Sequence, residues 1–439
     1  MKQLEFHFDH SLISEEQRKQ CSDQILEEIK KIKLATEKEY EDDRASVNLP
    51  VDSDALQCVL NLVKEKNRLN PRYVVVVGIG GSNLGTLAVF DAILGKKHNL
   101  KTNERKMLFA DTVDSDLIHD IVEIIDPVLK NDENIILNVV SKSGSTTETI
   151  ANFEVLLHVL EKYSSNPKES VVVTTDYHSN LWHLAQEKQY VVLEIPKKVG
   201  GRYSVFSPVG LFPLAMIGVD IARLLDGAKE MRSLCLQDDV NENPAAVAAA
   251  CSYLQFKDDK NIHDLFLFSD DLESIGKWYR QLLAESVGKE HDLSNNQVFT
   301  GITPTYSIGS TDLHSVAQLY LGGPFDKVTT FVQVKDNKHA VILSDYDEYD
   351  RLVNGIQERP MQEIMAAIYQ GVKTAFVKGN RPFMEIVLPD KSEESIGQFL
   401  QFKMMETMIL GGLLRINPFD QPNVESYKKE TRKILERKE

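Results

Sequence analysis

Two stretches of this sequence hold residue types that could do chemistry, at spacings that suggest which chemistry. The first is SKSGSTTET, Ser141 to Thr149, which follows the apolar run Ile135–Val140 and precedes a helical pattern. Six of its nine residues are Ser or Thr, beside one Lys and one Gly. Capping a helix takes one hydroxyl; six of them, next to the unpaired N–H groups of a helix start, make a cradle for phosphate or sulfate. The second stretch is DLESIGKWYRQLLAESVGK, read as a helix. Ile275, Trp278 and Leu282 mark its apolar stripe, and the next stripe position is Glu285, with Gln281 one turn earlier on the same side. A carboxylate placed on an apolar stripe is a candidate general base. The competing reading is a solvated i,i+4 pair between Glu285 and Lys289, worth roughly a few tenths of a kcal/mol. A third stretch, VVVVGIGGSNLG, puts Gly78, Gly80, Gly81, Ser82 and Gly85 where a strand turns into a helix. Such a turn suits close approach to an anion, and it is equally compatible with packing alone. Asn83 occupies the third glycine position of a dinucleotide fingerprint, and no G-x-x-x-x-G-K-[ST] occurs anywhere.

These groups need elements to hold them. A chain of 439 residues exceeds what one ordinary core organises, so two α/β lobes are expected. Residues 1–50 are rich in charges and helix formers and read as a helical N-terminal arm. From 51 onward, short β-branched runs alternate with helical patterns: Tyr73–Val77, Met107–Ala110, Ile135–Val140, Val171–Thr174 and Val191–Ile195. That alternation predicts βαβ units on a parallel sheet. An apolar-striped connector spans 204–235 and closes a first lobe of 51–235. A second lobe, 236–415, repeats the alternation with Leu265–Phe268, Val298–Thr300, Val328–Val334 and Phe383–Leu388. Helices around 271–287, 312–321, 358–376 and 392–410 interleave with these runs, and 416–439 ends in a charged helix. The fold class expected is therefore α/β, two doubly wound lobes with parallel sheets and a cleft between them.

Composition excludes several function classes. The formal net charge is −16, which disfavours nucleic acid as a partner, because phosphate backbones are held by clustered Lys and Arg. It leaves room for a phosphorylated substrate, which is bound by local N–H groups and a few cations. The longest purely aliphatic stretch is four valines, Val74 to Val77, against the ~20 residues of a membrane-spanning helix. The N-terminal residues carry no apolar core of a secretory signal. Cys21, Cys58, Cys235 and Cys251 show neither C-x-x-C spacing nor a His partner, as expected of reduced thiols in the cytoplasm. No His, Asp or Glu cluster suggests a metal, and no cofactor motif is present.

SKSGSTTET resembles the phosphosugar-binding loop of SIS-type (sugar isomerase) domains. Together with GIGGSNLG it is similar to the first lobe of the glucose-6-phosphate isomerase family. The resemblance implies two SIS-type lobes, with Ser141, Ser143 and Thr146 holding a sugar phosphate and Lys142 and the Gly81–Ser82 backbone nearby. QLLAESVGK resembles the family's segment around its base, which makes Glu285 the residue that moves a proton between carbons 1 and 2 through a cis-enediol. VGGRYS implies that Arg202 stabilises the enediolate, and STDLHS that His314 opens the sugar ring. FDQPNVESYK implies that Lys428 assists ring opening, with the adjacent Lys429 an open alternative. By the same resemblance Glu148 orients His314, and Gln281 and Gln421 contact the substrate. Leu313 and Pro422 depart from larger members, which carry Gln before the histidine and often an aromatic after the DQ pair; they resemble a compact bacterial subgroup. The implied activity is interconversion of glucose 6-phosphate and fructose 6-phosphate without a cofactor. The implied assembly is a cytoplasmic homodimer with active sites near the subunit interface and His314 reaching the neighbour's site. A related isomerase with wider aldose choice, or a silent phosphosugar sensor that needs only SKSGSTTET, are the rival readings.

Overall fold

The computed structural model describes residues 2–436 apart from 103, 347, 348 and 350. The β-branched runs of the first lobe become β2 (Tyr73–Val77), β3 (Lys106–Ala110), β4 (Ile135–Ser141), β5 (Val171–Asp176) and β6 (Val191–Ile195). They pair in the order β3-β2-β4-β5-β6, all parallel. β2 is buried along its whole length because helices cover both faces. Its side chains alternate between two cores: Val74 and Val76 enter the large central one, Val75 and Val77 a smaller one on the outer face.

The second sheet runs β1-β12-β11-β7-β10, with β1 formed by Glu5–His7. β7 (Ile262–Phe268), β10 (Thr303–Ile308), β11 (Lys327–Val334) and β12 (Phe383–Leu388) are mutually parallel. Leu265 and Leu267 of β7 face the central core, whereas Phe266 and Phe268 join Phe331, Tyr369, Phe376 and Phe383 in an aromatic cluster behind the sheet. The central core therefore takes residues from both sheets.

The structure differs from the sequence expectation in several places. The N-terminal arm is mostly helical but opens with β1 (Glu5–His7), which adds an antiparallel edge to β12. Val298–Thr300 does not join the second sheet. It lies in β9 (Gln297–Thr300), paired in a small antiparallel ribbon with β8 (Lys289–His291). Its place is taken by β10, whose sequence TPTYSI has little of an apolar strand about it; as an edge strand it tolerates Pro304. The connector is two helices, Pro208–Met216 and Ile221–Cys235, broken at Gly218. A helix at Pro244–Lys257 was not anticipated. The helix Glu393–Leu413 is buried nearly all round, and its Lys403 is neutralised by Glu406 at 2.7 Å. No helix among the described residues is long and apolar enough to cross a membrane.

Candidate active site

The site forms where β2 and β4 end, the usual location of ligand crevices in parallel α/β sheets. β2 runs into the turn Gly78–Ser82, and the helix Leu84–Leu94 follows. A Cβ on Gly81 would lie 2.2 Å from the Gly201 carbonyl carbon and 2.6 Å from the Arg202 nitrogen, so only glycine allows this contact. Ser204 Oγ donates to the carbonyls of Gly81 at 3.3 Å and Gly201 at 2.7 Å. The glycine turn and the segment bearing Arg202 are thus laid against one another as one surface.

β4 ends at Ser141, and the helix Thr147–Tyr163 begins behind it with Thr146 as its N-terminal flanking residue. Thr146 does not cap that helix with its side chain. Its hydroxyl turns back instead, 3.0 Å from Ser141 Oγ and 3.4 Å from Ser143 Oγ. Gly144 takes φ +66°, and a Cβ there would stand 2.7 Å from Ser179 Oγ and from the Leu181 nitrogen. The loop is therefore tightly folded around converging hydroxyls and uncapped helix N–H groups. Lys142 Nζ donates to the Val199 carbonyl at 2.8 Å, tying this loop to the chain just before Arg202. Burial, ahead of the like charges of Lys198 and Arg202, lowers the Lys142 ammonium below its ordinary value.

The helix Glu273–Val287 buries Ile275, Trp278 and Leu282 as its stripe predicts. Glu285 emerges at the end of that stripe half-buried. One carboxylate oxygen accepts from Gln281 Nε2 at 3.1 Å and the other from Arg202 Nη1 at 3.2 Å. Arg202 itself is buried, with all three nitrogens engaged. Nε donates to Ser286 Oγ at 2.8 Å and Nη1 also to Gln421 Oε1 at 2.7 Å. Nη2 donates to the Pro418 carbonyl at 2.6 Å and the Asp420 carbonyl at 3.1 Å. A guanidinium held at this many points cannot swing, so it presents a fixed positive charge to the space in front of Glu285. The base helix, the Arg202 turn and the C-terminal segment 418–421 meet at this one side chain.

Not every residue singled out from the sequence joins this cluster. His314 stands exposed at the end of a short turn, Thr311–His314, and among the described residues its side chain forms no hydrogen bond, to Glu148 or otherwise. Lys428 lies on the exposed helix Val424–Glu436 and pairs with Glu425 at 2.8 Å. The anticipated alternative, a Glu285 carboxylate paired with Lys289, is not what forms: Lys289 Nζ donates to the main-chain carbonyls of Glu285 and Asp420. Sequence reasoning missed Ser286, whose Oγ also lies 3.0 Å from the Tyr203 hydroxyl, and the carbonyls of Pro418 and Asp420. Ser286 could have been noticed as a hydroxyl on the buried face; main-chain carbonyls leave no trace in residue types.

Comparison with known proteins shows which family the chain resembles over most of its length. A family model described as phosphoglucose isomerase matches residues 67–439. A glucose-6-phosphate isomerase of Carboxydothermus hydrogenoformans is 36% identical over 373 residues, which cover 83% of this chain and 79% of that one. A crystal structure of a hypothetical protein from Thermus thermophilus superposes with a TM-score of 0.89 at 28% identity, covering 99% of this chain and 100% of that one. The crystal structure of a glucose-6-phosphate isomerase from Chlamydia trachomatis shares the fold, with a TM-score of 0.82 at 19% identity over 98% of this chain and 88% of that one.

Proposed function

The chain belongs to the phosphoglucose isomerase family, and from that premise we propose how its own residues interconvert glucose 6-phosphate and fructose 6-phosphate. The observation that carries the reading is the Glu285 carboxylate, held at one oxygen by Gln281 and at the other by the buried Arg202.

The phosphate docks on the hydroxyls of Ser141, Ser143 and Thr146 and the adjoining helix N–H groups, with Lys142 and the Gly81–Ser82 turn beside it. Binding at this remote group fixes the sugar chain relative to Glu285, so orientation is settled before the proton moves. Glu285 takes the proton from carbon 2, giving a cis-enediol, and returns it to carbon 1. Negative charge grows on the sugar oxygens during that transfer, and the immobile Arg202 offsets it with no rearrangement. Gln281 and Gln421 contact the substrate's polar groups at the rim.

Ring opening precedes isomerisation, and His314 and Lys428 are the proposed groups for it. Their exposure, and the absence among the described residues of any bond from either side chain to the Glu285 cluster, supports a homodimer in which His314 serves the neighbouring site, with Glu148 there to orient it. Exposed apolar side chains at Val341, Ile342, Leu352 and Val353 support burial against a second copy. Reduced cysteines and the glycolytic chemistry fit a cytoplasmic enzyme.

A coupled assay tests this directly: purified protein with fructose 6-phosphate and EDTA, with glucose 6-phosphate read through its dehydrogenase. Glu285→Gln is expected to lose about 10²- to 10⁴-fold of turnover while still binding fructose 6-phosphate. Near-normal turnover in that variant would remove Glu285 as the base. Binding without turnover in the unaltered protein would favour the sensor.

A further inference from the structure

Lys289 is buried two residues beyond the end of the helix that carries Glu285, and the reaction as proposed leaves it without a task. Its Nζ donates to the Glu285 main-chain carbonyl at 2.6 Å and to the Asp420 carbonyl at 2.7 Å, with the Asp420 carboxylate at 3.5 Å. The Asp420 carbonyl is the one that also accepts from Arg202 Nη2 at 3.1 Å. The next residue, Gln421, holds Arg202 Nη1.

We propose that Lys289 is a positioning residue of the isomerase, a charged clasp that pins the C-terminal segment carrying Gln421 to the end of the base helix and so sets where Glu285 and Arg202 stand. The proposal rests on the isomerase reading of Glu285 and Arg202. The last turn of a helix leaves its carbonyls unpaired, and Glu285 lies in that turn. A buried ammonium there satisfies the Glu285 carbonyl and complements the negative end of the helix dipole. The same ammonium reaches across 131 residues of chain to Asp420, where no secondary structure would otherwise fix the backbone. Without it, the Glu285 carbonyl and the carbonyl shared with Arg202 each lose a donor. Among the described residues, the segment 418–421 is then bonded to the helix through Arg202, the group that must also face substrate, and through the Tyr203 hydroxyl, which reaches Ser286 and, at 3.5 Å, the Pro418 carbonyl.

The clasp has a chemical signature. Among the described residues, the charged groups that act on Lys289 are Arg202 from the turn 201–203, Asp420 from the C-terminal segment and Glu285 from the helix. Burial first, and the repulsion of Arg202 second, bring its ammonium down to about 8, against the opposing pull of Asp420 and Glu285. Above that pH the amine is neutral and the clasp loses its charge, whereas an arginine in its place stays charged.

The test compares unaltered protein, Lys289→Met and Lys289→Arg in the coupled assay with fructose 6-phosphate, across pH, with thermal melts of each. Lys289→Met is expected to lower kcat by about 10- to 100-fold with KM little changed, since substrate still docks while the base is misplaced. Lys289→Arg is expected to recover most of the rate and to carry the alkaline fall in kcat/KM to higher pH. Should Lys289→Met fail to fold, the alkaline limb of Lys289→Arg decides alone. An active unaltered protein with an unaffected Lys289→Met, or with an unmoved alkaline limb in Lys289→Arg, overturns the proposal and leaves the isomerase reading intact. An inactive unaltered protein overturns that reading, and the proposal with it.

Discussion

Arg202 and Lys428 are two cations proposed for one reaction, and they sit in opposite physical settings. The Arg202 side chain is 1% exposed and makes five hydrogen bonds that gather the base helix and the C-terminal segment. The Lys428 side chain is 38% exposed, with one ion pair to a neighbour on its own helix. The charge proposed to meet an enediolate is built into the fold and held by these bonds before substrate arrives. The groups proposed for ring opening, Lys428 and the exposed His314, stand on surfaces that a second copy could cover. The contrast separates a part of the site built into the fold from a part that the proposed homodimer would complete.

The largest expected effect comes from the buried side. Arg202→Met removes the charge that Glu285 faces and leaves the Pro418 and Asp420 carbonyls short of a donor. It is expected to cost about 3 kcal/mol or more of stability in denaturant melts and to abolish turnover. Lys428→Met, in contrast, should stay within about 0.5 kcal/mol of the unaltered protein while still losing activity. Equal destabilisation by both would erase the distinction. Next comes a mixing experiment that sharpens it. Glu285→Gln and His314→Ala are each expected to be inactive as pure species. Refolding them together restores turnover when His314 serves the neighbour's site, because each mixed dimer then owns one intact set. A mixture as inactive as its components would put His314 and Glu285 in the same subunit's site. The smallest effect on activity is expected of Ser286→Ala, which leaves Arg202 Nε and the Tyr203 hydroxyl without a shared partner. A loss of about 1–3 kcal/mol by thermal or chemical melt, with a lower kcat and an unchanged KM, would mark Ser286 as part of Arg202's support.

What could be read in the sequence follows the same division. Strands buried on both faces, such as YVVVV in β2, announce themselves because burial requires β-branched apolar residues in a run. β10 did not, since an edge strand needs fewer apolar residues and tolerates Pro304 among threonines. β1 did not either, because three residues gain strand identity only from a partner, β12, some 380 positions away in sequence. Glu285 was legible because a carboxylate interrupts a regular stripe. The hydroxyl density of SKSGSTTET was legible because it exceeds what capping needs, and the inward turn of Thr146 gives that excess a geometry. The clasp at Lys289 was hidden because its partners are main-chain carbonyls. A lysine four positions after a glutamate looks from sequence like a side-chain pair, and only the fold shows that it bonds the backbone instead.

The central claim, that Glu285 moves the proton within the Arg202 cluster, is tested most directly by proton NMR of fructose 6-phosphate in D₂O. The unaltered protein should convert substrate and introduce deuterium at carbon 1 of fructose 6-phosphate and carbon 2 of glucose 6-phosphate. Glu285→Gln should bind the same sugar, seen as line broadening reversed by competitor, and introduce none. Deuterium entering at an undiminished rate with Glu285→Gln would contradict the account.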